Sequence, residues 1–194
     1  MNKTTLHFVE NYELGNDNAP KLAILATGGG ISLGDIAKIP GSSRILHSFY
    51  VPYATEETLR FLRTWHPHKV EDFDFEKSAV SPKAALELYK AMEARYPGCR
   101  TVAVTAACIS SKWRRGENRA YIACKNNEGV VQVWHLKVPK LSEKDHQTLK
   151  FQTLVEAREM QDEGIANVAM LILSNYTPGI TGLKNDGTLS VCYP

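Results

Sequence analysis

The chain has 194 residues, 43% hydrophobic and 23% charged, which is enough to bury a sizeable core in one globular domain spanning 1–194. A formal net charge of +2, with scattered basic residues, leaves no electrostatic footprint for a nucleic acid, and no apolar run approaches the length needed to cross a membrane. The four cysteines, Cys99, Cys108, Cys124 and Cys192, form no C-x-x-C pair and no signal-like apolar stretch opens the chain, so a reduced, soluble, cytoplasmic protein is expected.

In chain order, Leu6 to Val9 suggests a short edge strand, and the turn-rich 15–20 segment a loop. A core running from about 21 to 175 begins with Leu22 to Leu25, which has the character of a buried strand. It leads through Ala26-Thr27-Gly28-Gly29-Gly30 into a short helix with Ile31, Leu33, Ile36, Ala37 and Ile39 on its apolar side, stopped by Pro40-Gly41. Ile45 to Val51 fits a second strand, and Thr55 can cap a helix that turns Leu59, Leu62 and Trp65 inward. After an acidic loop, Ser81-Pro82 starts a helix whose stripe is Ala85, Leu88, Tyr89, Met92 and Tyr96.

Thr101 to Ala107 is apolar enough for a central strand covered on both faces. Ala120 to Cys124 and Val130 to Val138 flank the hairpin-like 125–129 loop, which adds an antiparallel pair. A long helix is expected after Ser142, broken or bent at Gly164 before the apolar Ile165 to Leu173. Residues 177–194 have turn or loop chemistry. The fold class is α/β, a three-layer α/β/α sandwich with a mixed, mostly parallel sheet.

The glycine turn is the candidate anion site: Gly28, Gly29 and Gly30 bring bare backbone to the start of a helix, whose unpaired N–H groups suit a phosphate or carboxylate. As a sequence motif it is generic, since neither G-x-x-x-x-G-K-[ST] nor G-x-G-x-x-G is matched. Ser42 and Ser43 could be turn residues. The Lys112-Trp113-Arg114-Arg115-Gly116-Glu117-Asn118-Arg119 segment follows the central strand, where open α/β sheets bind ligands, and its arginines could grip a phosphate or simply face solvent. His66-Pro67-His68 offers only two nearby ligands, so no metal and no cofactor are expected.

Taken in order, Gly28-Gly29, Pro40-Gly41-Ser42-Ser43, Val51-Pro52-Tyr53-Ala54, Val104-Thr105-Ala106 and Arg114-Arg115-Gly116-Glu117-Asn118-Arg119 resemble the CinA C-terminal domain family. The closer likeness is to a divergent branch of it. That family includes nicotinamide mononucleotide amidases. The resemblance implies a homo-oligomer, Ser43 as the nucleophile, and a ligand pocket in which Gly28, Gly29, Gly30, Ser42, Tyr53, Thr105, Arg115 and Arg119 take part. It also marks departures. The amidases' lysine, proposed to activate the serine, falls on Thr58; their E-S-C-T-G-G turn becomes Leu25 to Gly30; and their G-I-A-G-P loop becomes Ala107 to Ser111.

A serine without a positioned base is a weak nucleophile, and threonine is no base near neutral pH. Three functions follow as expectations. The first is a protein binding a nucleotide or related phosphate, with amidase activity weakened or lost. The second is an active amidohydrolase using Ser43. The third is a non-catalytic homo-oligomeric interaction protein, for which Ile165 to Leu173 would supply an apolar surface.

Overall fold

The computed structural model describes residues 3–14, 19–66, 79–174, 180–183 and 188–192. Helix α1 (Lys3–Leu14) precedes β1 (Leu22–Thr27), a 3-10 helix (Ile31–Lys38), a second short 3-10 turn (Ser42–Arg44) and β2 (Leu46–Tyr50). Next come α2 (Thr55–Trp65), α3 (Pro82–Arg95), β3 (Arg100–Ala107), β4 (Arg119–Lys125) and β5 (Val131–Lys137). Helices α4 (Glu143–Thr148) and α5 (Phe151–Leu173) and strands β6 (Ile180–Leu183) and β7 (Thr188–Cys192) complete the chain.

The strands form one mixed sheet in the order β2-β1-β3-β4-β5-β7-β6. It is parallel across β2, β1 and β3, then antiparallel from β3 through β4 to β5. The alternation of side chains along each strand divides the core into two layers. Leu22, Ile24 and Ala26 of β1, with Val102 and Val104 of β3, join a cluster holding Phe8, Leu33, Ile36, Ile165 and Met170. Ala23, Leu25 and Ala103 face the other way, toward Phe61, Leu62, Leu88 and Met92. Helices on both faces of a mixed sheet are the expected three-layer sandwich.

Local chemistry explains several elements. Ser81 accepts the Ala84 N–H at 3.1 Å and Pro82 occupies the first turn, so α3 starts where its cap dictates. Leu33 and Ile36, three apart, are the buried pair of the first 3-10 helix, matching its three residues per turn. The Arg95 guanidinium lies over the rings of Tyr50, Phe61, Trp65 and Tyr96 at 5.1–5.6 Å and so ties α2 and α3 to the β2 edge.

Trp65, expected to face inward, is 39% exposed, its place taken by Phe61, and three expectations about the elements themselves change. The amino-terminal segment is a helix and not an edge strand, because Thr5, Phe8, Val9 and Tyr12 pack inward at helical spacing. The helix after Ser142 breaks at Leu149-Lys150, whose backbone is extended, and runs unbroken through Gly164. A single helical glycine costs only about 1 kcal/mol relative to alanine, less than the burial of Ile165, Ala166, Val168, Ala169 and Met170 beyond it returns. The carboxyl-terminal segment, expected to be loop, contributes β6 and β7, with β7 parallel to β5 and antiparallel to β6.

Candidate functional site

The carboxyl ends of the parallel strands frame a cleft of about 290 Å³ lined by Thr27 at the end of β1 and Gly28 after it, Tyr53 and Thr58 beyond β2, and Ala106 to Cys108 at the end of β3, among others. Ligands of open α/β sheets bind outside the carboxyl ends of the strands. Arg158 from α5 and Arg114 from the β3–β4 connection supply positive charge to the lining.

The glycine turn has its conformation for reasons internal to the protein. Gly28 has φ 78° and Gly30 φ 77°, a region that side-chain-bearing residues rarely adopt. A Cβ at Gly28 would stand 2.0 Å from the Ala106 carbonyl oxygen, and one at Gly29 2.8 Å from Cys108 Sγ. Close approach is therefore to β3 itself, not to a vacant space. The N–H groups at the start of the following 3-10 helix are also engaged: Asp162 of α5 accepts from Ile31 N at 2.9 Å, Ser32 N at 2.7 Å and Ser32 Oγ at 2.6 Å.

Arg158 is the central cation. It donates to the carbonyls of Ile109 at 2.6 Å and Gly28 at 2.9 Å, and to the Tyr53 hydroxyl at 3.1 Å. Three of the guanidinium's five N–H groups are thereby engaged, the other two have no partner among the described residues, and the Tyr53 hydroxyl keeps its own proton for a ligand. Arg114 donates to the Cys108 carbonyl at 2.6 Å. Gln161 supports the same loop, accepting the buried Ile109 N–H at 2.7 Å and donating to the Pro139 carbonyl at 2.5 Å.

No activated nucleophile lines the cleft among the described residues. Burial pushes the Cys108 thiol up to about 11, although Arg158 pulls it the other way, so it is protonated near neutral pH. Thr27 and Thr58 both spend their hydroxyls on the Pro52 carbonyl, at 3.1 and 2.8 Å. Thr58, which stands where the resemblance puts a lysine, is buried and ties the 52–54 turn to the start of α2.

The anticipated residues separate into two groups. Gly28 and Tyr53 line the cleft. Gly29 and Gly30 pack against Cys108, Val104 and Ile165, while Thr105 is buried beneath the cleft with its hydroxyl unpartnered among the described residues. Arg119 donates to the Val80 carbonyl at 3.2 Å behind the cleft wall, and Arg115 is exposed outside the lining. Ser42 and Ser43 belong to the short turn ahead of β2, at the amino edge of the sheet. The six residues of β1, at about 3.3 Å each, put about 20 Å between that edge and Gly28.

Convergence of Ser43 and the arginines on the glycine turn therefore does not occur within one chain. Of the basic side chains near that turn, Lys38 pairs with Asp35 at 2.7 Å, and the His47 ring packs edge-on against Tyr96. Of His66-Pro67-His68, only His66 is described; it meets the Glu87 carboxylate, and Pro67 and His68 lie outside the described residues.

Arg158, Gln161 and Asp162 escaped the reading from sequence. The available signal was a polar trio at i, i+3 and i+4, which share one face of a helix.

No protein-family model and no curated protein matches the chain. Solved structures do. A competence or damage-inducible protein from Enterobacter asburiae superposes with a TM-score of 0.61 at 13% identity, over 91% of this chain and 100% of that one. The competence/damage inducible protein CihA from Agrobacterium tumefaciens gives 0.52 at 19% identity, over 81% and 91%. A CinA superfamily protein from Escherichia coli gives 0.53 at 15% identity, over 87% of each chain. At these identities the likeness is one of fold.

Proposed function

We propose that this chain, built on the fold of the CinA superfamily proteins, binds a nucleotide or related phosphate in the cleft at the carboxyl ends of β1 and β3, without hydrolysing it through Ser43. The observation that carries this is the pair Arg158 and Arg114 lining a 290 Å³ cleft in which no described side chain is an activated nucleophile. A guanidinium already fixed by two carbonyls and a phenol is a preorganised positive charge for a phosphate oxygen. Tyr53, 61% exposed at the rim, offers a ring face and a hydroxyl proton to the rest of the ligand.

The amidohydrolase alternative needs Ser43 beside the bound carboxamide. Its place at the opposite edge of the sheet weighs against that, as does the pairing of Lys38 with Asp35. The interaction-protein alternative loses its main support, because Ile165 to Leu173 is largely buried against the protein's own sheet and α1.

Thermal-shift measurement with pyridine and adenine nucleotides tests the proposal. Saturable stabilisation by at least one nucleotide is expected, and none across the set would overturn it. Incubation with nicotinamide mononucleotide should release no more ammonia from the wild type than from Ser43→Ala. Ammonia that depends on Ser43 would instead establish the amidohydrolase.

A further inference from the structure

The glycine turn has the chemistry of an anion cradle and already holds an anion. Two left-handed glycines deliver the chain into an eight-residue 3-10 helix. Both oxygens of the Asp162 carboxylate sit on its first donors, Oδ1 on Ile31 N and Oδ2 on Ser32 N and Ser32 Oγ. Two oxygens satisfying three donors at 2.6–2.9 Å is how a phosphate edge would engage the same groups. One helical turn earlier on α5, Arg158 holds the opposite pole of the turn, the Gly28 carbonyl. A single helix thus places a negative group on the turn's N–H groups and a positive group on its carbonyl.

We propose that Asp162 is a resident anion that closes the glycine turn to phosphate and sets the polarity of the neighbouring cleft, confining a ligand's negative charge to the Arg158 and Arg114 side. That the ligand is anionic rests on the function proposed above; the occupation of the turn does not. A phosphate arriving at Ile31 and Ser32 would have to displace the carboxylate and overcome its repulsion. At Arg158 it meets a guanidinium charge and no described acid in the lining. Asp162 is on this account a specificity-determining residue, which orients the ligand without touching it.

Titration with inorganic phosphate, followed by the amide resonances of uniformly ¹⁵N-labelled protein, tests this. In the wild type, the Ile31 and Ser32 amides should hold still while those of Cys108 to Ser110 move. In Asp162→Ser, phosphate should shift the Ile31 and Ser32 amides saturably. Asp162→Asn, which keeps one acceptor oxygen and nearly the same shape, should do the same if the serine variant fails to fold. The proposal is overturned if the wild-type Ile31 and Ser32 amides respond together with the cleft, or if neither folded variant's turn responds. A response at the variant's turn with none at the wild-type cleft would uphold Asp162 as the resident anion and remove the cleft from the proposed function.

Discussion

At the scale of single residues, the site is determined by what each polar group is already bonded to. Arg158 joins the three segments that form the cleft, at Gly28, Tyr53 and Ile109, whereas Arg119 donates to the Val80 carbonyl behind the cleft wall. Gly28 is the least replaceable residue of the turn. Gly28→Ala would impose a side chain on a φ of 78° and drive it into the Ala106 carbonyl. A loss of at least about 2 kcal/mol is expected from urea denaturation, together with loss of nucleotide binding, because the Gly28 carbonyl could not stay under Arg158. Stability within about 0.5 kcal/mol of wild type would contradict this account of the turn.

At the scale of elements, the segments legible in the sequence are those with strong local signals. The apolar run of β3, the Ser81-Pro82 start of α3 and the 126–130 loop between β4 and β5 are each determined by a few adjacent residues. Ser81→Ala removes the bond to Ala84 N and should cost about 1 kcal/mol, read as a lower denaturation midpoint with an unchanged m-value and unchanged ligand affinity. The elements that escaped depend on distant partners. Strand β7 exists because β5 offers it an edge, and α5 continues through Gly164 because the sheet covers the glycine's neighbours. The misplacement of Ser43 is different, since the signal was present. A parallel connection returns the chain to the starting edge, so Ser42 and Ser43, immediately before β2, cannot share the edge that carries Gly28 and Tyr53.

At the scale of the whole molecule, the three-layer sandwich was legible because alternating apolar segments and amphipathic helices specify layers. The convergence of side chains was not, because it arises from α5, which crosses behind the glycine turn more than a hundred residues later in the chain. The same burial that builds the core sets how the fold responds to alkali. Desolvation raises the thiols of Cys108 and Cys124 to about 11 in the folded protein. For an acid whose folded value lies above its unfolded one, the stabilisation is complete below the unfolded value and is lost as pH rises through the folded one. Stability should therefore be level in this respect up to about pH 8.5 and fall between there and about pH 11, by about 1–3 kcal/mol per thiol. Denaturation midpoints across that range would show it. Among the described residues no helix is long and apolar enough to cross a membrane.

The central claim is that the cleft holds an anionic ligand through Arg158 and that Ser43 takes no part. Isothermal titration of the nucleotide giving the largest thermal shift, against wild type, Arg158→Met and Ser43→Ala, tests it most directly. The account predicts saturable binding to the wild type, at least about a tenfold weaker Kd for Arg158→Met, equivalent to about 1.4 kcal/mol, and no change for Ser43→Ala. Equal affinity for the wild type and Arg158→Met, or a loss confined to Ser43→Ala, would contradict it.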